Sequence, residues 1–379
     1  MTNSMNILII CKALEGSYAG GIQTHVTCLS EELIRQGHQV TLLTASKKTT
    51  FQIKGIKIVK LPYVPTQLGM GLSHFLAEFT FNLAAAQWVK KYSKKFDVVH
   101  VQGRSGIMIN PKNISIPIVT TIHRLMKIEK KWNDKEYANR LDRFLHQKWA
   151  LHYEHQILKN SHAVIAVSEA CKEEILQVNI NIENKLQVIP NGVFIPGHIN
   201  SEKKDTILFV GRLSKVKGIS ILLHAMKYVN KNIQLEIVGS GPEKSNITSM
   251  IKRLNLKGRV QLLGTQSRPI VNQIMSKSQV LVLPSYHESQ GIVILEANAN
   301  GLPVVASDNS GISQMINHKK NGLLFKTGQV NELAKAINHL LDKPKYAHHL
   351  GENGRQMMKD KYDWSKVSGS IIELYKAVA

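Results

Sequence analysis

Short apolar runs alternate with longer stretches of helical periodicity from one end of the chain to the other. Most of these runs are continuous in Val, Ile and Leu, which is typical of strands buried on both faces of a parallel sheet. In the first half of the chain the pattern predicts strands at Ile7–Ile10, Gln39–Leu43, Ile56–Lys60, Asp97–Val101, Ile118–Ile122, Ala163–Val167 and Leu186–Ile189. In the second half it predicts strands at Thr206–Val210, Gln234–Val238, Val260–Leu263, Val280–Leu283 and Pro303–Ala306.

The stretches between the strands predict helices, among them Gln23–Arg35, Ile219–Asn230 and Glu332–Leu341. This alternation indicates βαβ units with right-handed crossovers. The segment from Pro190 to Lys204 interrupts the pattern with two prolines and two glycines, which is typical of a linker. We therefore predict an α/β fold of two Rossmann-like, doubly wound domains that face a cleft, with boundaries at residues 1–192, 193–204 (linker) and 205–362.

Composition narrows the function. Of the 379 residues, 43% are hydrophobic and 20% are charged, so the chain has enough apolar material to fold. The 49 Lys and Arg against 27 Asp and Glu give a formal net charge of +22. That charge predicts a partner rich in negative charge, which means nucleic acid, an anionic membrane surface or a phosphorylated substrate. Nucleic acid is disfavoured, because aromatic residues make up only 6% and no recognition module is present.

The expected location follows from three features that the sequence does not show: a disulfide framework, a membrane-spanning helix and a signal peptide. Its three cysteines, Cys11, Cys28 and Cys171, are too scattered for a disulfide framework or a CxxC metal site. No apolar run approaches the roughly 18 residues of a spanning helix, and the N-terminal residues do not have the basic and apolar regions of a signal peptide. We expect a cytoplasmic protein, either in solution or peripheral on the cytoplasmic face of the inner membrane.

Glycine-rich loops follow two of the predicted strands. Such a loop at a helix N-terminus directs backbone N–H groups at phosphate. The loop Gly16–Gly21 has neither the GxGxxG spacing nor the Lys of a P-loop, and the loop at Gly239–Gly241 lacks the third glycine of a dinucleotide site. No zinc-protease helix follows His287-Glu288, and no two aspartates stand two residues apart. We therefore predict no metal site.

Two glutamates after a predicted strand form the most specific signal. The strand ends at Pro284 and a helix begins near Gly291, which places Glu288 in the loop before the helix and Glu296 about one and a half turns into it. Seven residues separate the two carboxylates. This pattern resembles the E-x7-E motif of the retaining glycosyltransferases of the GT-B fold, family 4 (glycosyl transferases group 1).

Further segments resemble that family in the correct order along nearly the whole chain. Each one alone is a weak signal, whereas the complete set is specific. The segments are Gly20-Gly21, Thr121-Ile-His123, Val167-Ser168-Glu169, Val188–Val193, Gly211–Gly218, Ile237–Glu243, Gly301–Ala306 and Asn321–Phe325. The resemblance also implies that residues 363–379, opened by Tyr362-Asp-Trp364, form a helix that crosses back to the first domain.

The resemblance implies a UDP- or GDP-sugar as donor, with no cofactor and no metal. The charge of the donor diphosphate grows as the glycosidic bond breaks, and fixed positive charge offsets it, Arg212 with a two-pronged hydrogen bond and Lys217 as a point charge. The implied catalytic residues are His123, Glu288, Arg212 and Lys217. The implied donor-binding residues are Gly20, Gly21, Gly211, Gly239, Gly264, Ser289, Gln290, Gly291, Ile292, Val293 and Glu296.

Individual roles also follow from the resemblance. Glu296 accepts hydrogen bonds from the ribose hydroxyls, Glu288 contacts hydroxyls of the transferred sugar, and His123 lies near the reacting centre. The backbone around Leu263-Gly264 holds the base, and the Gly20-Gly21 amides approach the distal phosphate. The chain departs from the family at Ser310 and Gln314, where a second glycine and a glutamate are usual. We expect activity with altered donor contacts, because Gly311 is retained.

Paired carboxylates also suit a glycoside hydrolase, but the basic loop would then have no purpose. We expect a retaining glycosyltransferase that builds surface polysaccharide, lipopolysaccharide or glycolipid on a glycan or lipid-linked acceptor. Two alternatives stay open. One is synthesis or phosphorolysis of a small glycoside, and the other is a catalytically silent nucleotide-sugar-binding protein.

Two basic stretches lie in the first domain. One contains Lys90, Lys91, Lys94 and Lys95. The other contains Lys127, Lys130, Lys131, Lys135, Arg140, Arg143 and Lys148, set around Trp132, Leu141, Phe144, Leu145 and Trp149. A basic amphipathic helix with aromatic residues suits an anionic membrane surface. The same pattern suits a charged helix that packs its apolar face on its own domain, and both interpretations stay open.

Overall fold

A computed structural model describes residues 4–12, 20–45, 54–65, 72–126, 137, 139–178, 181–197 and 202–379. The chain divides into two compact units. The N-terminal unit contains Ile22–Pro190, the strand that precedes it, and Val367–Ala379. The C-terminal unit contains Asn191–Lys366, and Gly20 and Gly21 group with it. Some residues of the sequence analysis lie outside the described ranges, namely Gly16, Lys127, Lys130, Lys131, Trp132 and Lys135.

The N-terminal unit is built on a parallel sheet with strand order β3-β2-β1-β4-β5-β6-β7. Its strands are β1 (Asn6–Ile10), β2 (Gln39–Thr44), β3 (Lys57–Lys60), β4 (Val98–Gln102), β5 (Ile118–Ile122), β6 (Ala163–Ala166) and β7 (Leu186–Val188). Its helices are α1 (Gly21–Arg35), α2 (Ser73–Tyr92), α3 (Arg140–Asn160) and α4 (Glu169–Leu176), with 3₁₀ turns at Ser93–Lys95, Pro111–Asn113 and Glu183–Lys185.

The continuous apolar runs of this unit are explained by burial. Every residue of β4 and of β5 is buried, on both faces of the sheet. On one face, Leu8 and Ile10 of β1 share a core cluster with Phe81 of α2. Because side chains alternate between the two faces of a strand, a strand covered on both sides needs apolar residues at successive positions.

The C-terminal unit repeats this plan with strand order β10-β9-β8-β11-β12-β13, all neighbours parallel. Its strands are β8 (Thr206–Val210), β9 (Gln234–Val238), β10 (Val260–Gly264), β11 (Val280–Leu283), β12 (Val304–Asp308) and β13 (Gly322–Lys326). Its helices are α5 (Ile219–Ala225), α6 (Lys244–Arg253), α7 (Arg268–Lys277), α8 (Ile292–Ala299), α9 (Ser310–Ser313), α10 (Val330–Leu341) and α11 (Pro344–Met357). The last helix, α12 (Trp364–Val378), begins in this unit, and its residues from Val367 onward belong to the N-terminal unit. A 3₁₀ turn covers Lys215–Lys217, and a π-helical turn covers Met358–Tyr362.

Both sheets reverse their strand order beside the first strand of the unit. In the N-terminal sheet β1 pairs with β2 on one side and β4 on the other. In the C-terminal sheet β8 pairs with β9 and β11. The loops at the carboxyl ends of such strand pairs diverge and leave a crevice, where ligands of open α/β sheets bind. The two-domain α/β class predicted from the sequence is confirmed.

Several boundaries differ from the sequence predictions. Strand β13 was not predicted, because its short apolar run follows a glycine and ends at a lysine without a clear strand period. The predicted helix Ile219–Asn230 ends at Ala225, where the guanidinium of Arg259 donates to the carbonyl oxygens of Met226 over 2.9 Å and of Asn230 over 2.7 Å.

The segment predicted as a linker begins inside the C-terminal unit. Val193 is buried in the core of that unit, and its N–H donates to Tyr362 O over 2.7 Å. Helix α12 opens at the buried Trp364, and from Val367 onward it belongs to the N-terminal unit, where Gln36 Nε2 donates to Ser368 Oγ over 2.7 Å. Among the described helices, none has the length and apolar character needed to cross a membrane.

Candidate active site

Lys217 and Glu288 join the loops that follow β8 and β11, the two strands at the reversal of the C-terminal sheet. Lys217 ends the 3₁₀ turn, and its Nζ donates a hydrogen bond to Glu288 Oε1. The Ser285 hydroxyl donates to the same oxygen over 2.9 Å. The lysine and glutamate side chains are only 19% and 6% exposed. Salt and water therefore screen this ion pair less than they would screen a surface pair.

The backbone of Glu288 is held by the loop that follows β12. A Cβ atom on Gly311 would lie 1.8 Å from Glu288 O, so this close approach requires glycine. Asn309 Nδ2 donates to Ser285 O over 3.0 Å. These contacts fix the loop that carries the carboxylate. Gly311 therefore has a packing role.

The loops after β8, β9 and β10 are bonded to one another at the same edge of the sheet. Gly211 N donates to Val238 O over 3.0 Å, and Gly239 N donates to Gly264 O over 2.8 Å. A Cβ atom on Gly239 would lie 2.0 Å from Gly211 O, and its φ is +133°. This glycine is therefore required by the contact between two loops.

Glu296 lies on α8, the helix that follows the Glu288 loop. Gly291 caps the helix in a left-handed conformation with φ of 74°, and the first helical residues are Ile292 and Val293. Their N–H groups belong to a helix N-terminus, which carries partial positive charge and suits an anion. Glu296 is buried within the same helix. The structure therefore places a carboxylate one turn beyond a helix N-terminus that suits an anion.

Gln290 connects this loop to the beginning of the C-terminal unit. Its Oε1 accepts a hydrogen bond from Asn191 N over 2.8 Å and another from the Asn191 side-chain amide. Both residues are buried, as is the neighbouring Ser289. Gln290 therefore has a structural partner besides its implied donor contact. Arg212, at the start of the loop after β8, is exposed.

His123 lies at the carboxyl end of β5 in the N-terminal unit. Its Nε2 lies 2.9 Å from Oε1 of Gln102, the last residue of β4. The ring packs edge-on against His25 of α1, with 4.8 Å between the ring centroids. Burial, and then the nearby His25 and His100, hold the pKa of His123 well below its usual value. His123 is therefore a neutral imidazole at physiological pH, able to donate or accept a hydrogen bond without carrying charge.

The remaining predicted positions lie at loop and helix starts. Gly20 and Gly21 immediately precede and open α1. Ser310 and Gln314, the departures from the family pattern, are both exposed at α9, on either side of the buried Gly311. Substitution at these two positions is therefore compatible with the packing of the loop.

Of four further residues of the site, three were not singled out in the sequence, and Asn191 was noted only as part of the segment Val188–Val193. Ser285 and Asn309 support Glu288, Asn191 binds Gln290, and Gln102 holds His123. Each is a common polar residue in a loop or at a strand end, and its partner is distant along the chain or cannot be recognised from spacing. Their place relative to the strands was the one available signal, since all four lie at the carboxyl end of a strand or in the loop beyond it.

The basic helix predicted in the N-terminal unit is α3, and its apolar residues divide into two sets. Trp149 packs edge-on against Phe75 and Phe79 of α2, with centroid distances of 6.1 and 6.3 Å. Leu141 and Phe144 are 56% and 52% exposed. One part of the apolar face is thus covered by the unit itself, and another part faces solvent.

The two basic stretches lie at opposite ends of the α2–α3 pair. Asp142, near the start of α3, accepts hydrogen bonds from the backbone N–H groups of His74 and Phe75, at the start of α2. Lys90 follows His74 by sixteen residues, or about 24 Å along the helix axis. The exposed lysines at the end of α2 are therefore separate from the exposed Arg140 and Lys148 of α3.

Among the described residues, no group of three or more His, Cys, Asp or Glu side chains is arranged to hold a metal ion. Arg212 and Lys217 place positive charge on the loop that follows β8, at the carboxyl edge of the C-terminal sheet. The arrangement provides a helix N-terminus that suits an anion, cationic side chains on the adjacent loop and two buried carboxylates.

Two family models match the chain. The model described as Glycosyltransferase Family 4 matches residues 19–195, and the model described as Glycosyl transferases group 1 matches residues 194–357. An uncharacterised glycosyltransferase of Methanocaldococcus jannaschii is 26% identical over 396 residues, which cover 98% of this chain and 98% of that protein.

Solved structures are similar over nearly the whole chain. Sucrose-phosphate synthase from Thermosynechococcus elongatus superimposes with a TM-score of 0.81 at 25% identity and covers 98% of each chain. The Anabaena protein HepE, solved in complex with UDP and glucose, superimposes with a TM-score of 0.79 at 20% identity, over 98% of this chain and 100% of that one. These likenesses support the GT-B fold for the chain described above.

Proposed function

This chain belongs to the family of glycosyl transferases group 1, and on that premise we propose that it moves a sugar from a UDP- or GDP-sugar to a hydroxyl acceptor with retention of anomeric configuration. It is a glycosyltransferase by family. The ion pair between Lys217 and Glu288 is the observation that carries the finer proposal, because it fixes a cation and a carboxylate at the reversal point of the C-terminal sheet.

The donor is proposed to bind at the carboxyl edge of the C-terminal sheet. The diphosphate would take N–H groups at the start of α8 and the side chains of Arg212 and Lys217, without a metal. Glu296 would accept the ribose hydroxyls, and the backbone at Gly264 would hold the base. A protein of the same fold, HepE, was solved in complex with UDP and glucose.

The reaction is proposed to proceed on one face of the sugar. The bond between the anomeric carbon and the phosphate oxygen breaks, and the acceptor oxygen bonds to that carbon on the same face. The acceptor proton passes to the leaving phosphate, so no protein nucleophile is required. Glu288 would position hydroxyls of the transferred sugar, and its bonds with Lys217 and Ser285 support a holding role. His123 would act beside the reacting centre as a neutral hydrogen-bonding group.

The acceptor is proposed to be a glycan or lipid-linked molecule in the synthesis of surface polysaccharide, lipopolysaccharide or glycolipid. Support comes from α3, where Leu141 and Phe144 are exposed beside Arg140 and Lys148. The Lys148 ammonium lies 4.6 Å from the centre of the Phe144 ring. Aromatic and basic side chains on one exposed strip suit the anionic surface of a membrane that carries such an acceptor. We propose a peripheral position on the cytoplasmic face of the inner membrane.

A screen of nucleotide sugars tests this function. The purified protein is heated with UDP- and GDP-sugars and with the bare nucleotides, because a bound donor raises the melting temperature by mass action. Donors that stabilise the protein are then tested for sugar transfer or donor hydrolysis, and the anomeric configuration of the product is read by NMR. An inverted product would contradict retention, and binding of a donor with no turnover would favour the silent-binder alternative.

A matched pair of variants tests the site. Glu296→Gln keeps the size of the side chain but weakens its hydrogen bonds to ribose, so donor affinity is expected to fall by about tenfold or more. Glu352→Gln, on α11, changes an exposed glutamate outside the proposed donor site and serves as the control. If Glu296→Gln bound and turned over donor as well as the native protein, the assignment of Glu296 would be wrong.

A further inference from the structure

A row of buried hydrogen bonds leads from His123 to the C-terminal helix within the N-terminal unit. His123 Nε2 lies 2.9 Å from Gln102 Oε1, and Gln102 Nε2 lies 3.1 Å from His100 Nε2. His100 Nδ1 lies 2.5 Å from the hydroxyl of Tyr375 on α12. His100 and Tyr375 are fully buried and Gln102 is 1% exposed. Bulk water therefore does not compete for these bonds.

The Gln102 amide gives this row a direction. Its N–H donates to His100 Nε2, so His100 carries its proton on Nδ1 and donates to the Tyr375 oxygen. Its carbonyl oxygen accepts from His123 Nε2–H, so the Nδ1 of His123 is the unprotonated nitrogen. Thr121 Oγ1 lies 2.7 Å from His100 Nε2, so the threonine hydroxyl can donate a second hydrogen bond to that nitrogen.

Both histidines stay neutral, which makes their tautomers matter. Burial, and to a smaller extent the nearby His25, lowers the pKa of His100 to about 3. A neutral imidazole has one donor and one acceptor nitrogen, so a change at one ring passes through the amide to the other. The reversed row would need the Gln102 amide to be turned over, so that His100 Nε2–H donates to its oxygen and its N–H donates to His123 Nε2. The structure has the opposite orientation, with Gln102 Nε2 at His100 and Gln102 Oε1 at His123.

We propose that Tyr375 is a positioning residue that acts through His100 and Gln102, a role that rests on the function proposed for His123. It holds His123 in the tautomer protonated on Nε2. His123 then offers its Nδ1 as a hydrogen-bond acceptor, which suits a donating sugar hydroxyl. A residue of the C-terminal helix α12 thereby decides which ring nitrogen of His123, at the end of β5, accepts a hydrogen bond.

Tyr375→Phe tests the proposal because it removes the hydroxyl and keeps the ring. His100 Nδ1–H then loses its acceptor, and the tautomer protonated on Nε2 is favoured, since Thr121 Oγ1 accepts from that nitrogen. The Gln102 amide turns, and the proton of His123 moves to Nδ1. We expect His123 to shift to the Nδ1-protonated form in ¹⁵N imidazole spectra, and kcat to fall by about tenfold with little change in the KM for donor.

Controls separate this role from a structural one. Tyr362→Phe removes the hydroxyl of a half-buried tyrosine in the C-terminal unit, and should leave both readouts unchanged. His100→Gln interrupts the row with Tyr375 intact, and should populate both tautomers of His123. If Tyr375→Phe does not fold, His100→Gln still shows whether the hydrogen bonds through His100 control the tautomer of His123.

Two results would overturn the proposal. One is a Tyr375→Phe protein whose His123 imidazole spectrum is native, and the other is a shifted tautomer with native kcat. If the native protein transfers no sugar, the proposed function fails instead. The imidazole spectra then still decide whether Tyr375 controls the tautomer of His123.

Discussion

Lys217 donates a hydrogen bond to Glu288, and this pair links the two loops at the reversal point of the C-terminal sheet. Each residue therefore constrains the other. The lysine reaches the pair from the 3₁₀ turn after β8, and the glutamate from the loop held by Gly311. Removing one partner of a shielded ion pair leaves the other charge uncompensated, which is more costly than losing a surface pair.

Replacement of Lys217 is expected to impair catalysis more than folding. Lys217→Ala removes the cation assigned to the diphosphate and leaves Glu288 with Ser285 as its neighbouring donor. We expect kcat/KM for the donor to fall by about 10²–10³, as for loss of one preorganised charge-stabilising group. Steady-state kinetics with a donor identified by the screen measures this effect.

Lys215→Ala is the matched control for that measurement. Lys215 lies on the same 3₁₀ turn, is exposed, and does not pair with Glu288. We expect nearly native kinetics from it. Equal losses in the two variants would mean that general positive charge, and not the position of Lys217, supports the reaction.

Gly311→Ala is expected to displace Glu288. Its Cβ would lie 1.8 Å from the Glu288 carbonyl oxygen, a separation that backbone atoms must move to relieve. We expect a loss of about 1–3 kcal/mol in the free energy of unfolding and a fall in kcat. Urea denaturation and kinetics measure the two effects. At Gly197 an added Cβ meets nothing within 4 Å, so Gly197→Ala should leave both unchanged.

Buried His100 is expected to make the protein less stable in acid. Its pKa is lowered to about 3 in the folded chain, whereas the unfolded side chain takes up a proton at about 6.5. The unfolded state therefore binds more protons between these values, and stability falls as pH decreases through that window. From pH 7 to pH 5 this one histidine contributes a loss of about 2 kcal/mol.

His100→Gln removes that titration and tests the sign. The variant should start less stable at pH 7, because the bond with Tyr375 is lost, but its stability should fall less between pH 7 and pH 5. Urea denaturation at the two pH values gives the difference. An equal or steeper fall in the variant would show that His100 is not held neutral in the folded protein.

The exposed part of α3 is expected to bind anionic membranes. Leu141→Ser with Phe144→Ser removes the two exposed apolar side chains, and binding to vesicles that contain phosphatidylglycerol should weaken by about tenfold or more. Co-sedimentation measures the bound fraction, which should also fall as salt rises.

Tyr228→Ser controls for the loss of an exposed aromatic residue elsewhere. Tyr228 is 60% exposed and lies in the C-terminal unit. Its substitution should leave vesicle binding unchanged. If the native protein did not bind these vesicles at low salt, the membrane proposal would be wrong, and the charges of α3 would only face solvent.

The strands could be read from the sequence because burial on both faces leaves a local signal. The apolar run of β5 was predicted with its observed bounds, Ile118–Ile122. Helix ends were less predictable, since the end of α5 depends on Arg259, more than thirty residues away. Strand β13 was missed because it is completed by pairing with β12, and such pairing is not visible in a short segment.

The site divides in the same way. Glu288 and Glu296 were recognisable because their spacing is set by one loop and one helix, which are local features. Ser285, Asn309 and Gln102 were not, because each acquires its role from a side chain or carbonyl that only folding brings within hydrogen-bond distance.

The sequence by itself determined the two α/β units, the family and the residue types available for a diphosphate, since these depend on periodicity and spacing along the chain. Only the tertiary structure decided that Lys217 pairs with Glu288, that Gly311 is limited by the Glu288 carbonyl, and that His123 is neutral. Pairing, close approach and desolvation arise between residues that are distant along the chain, so they exist only after the chain has folded.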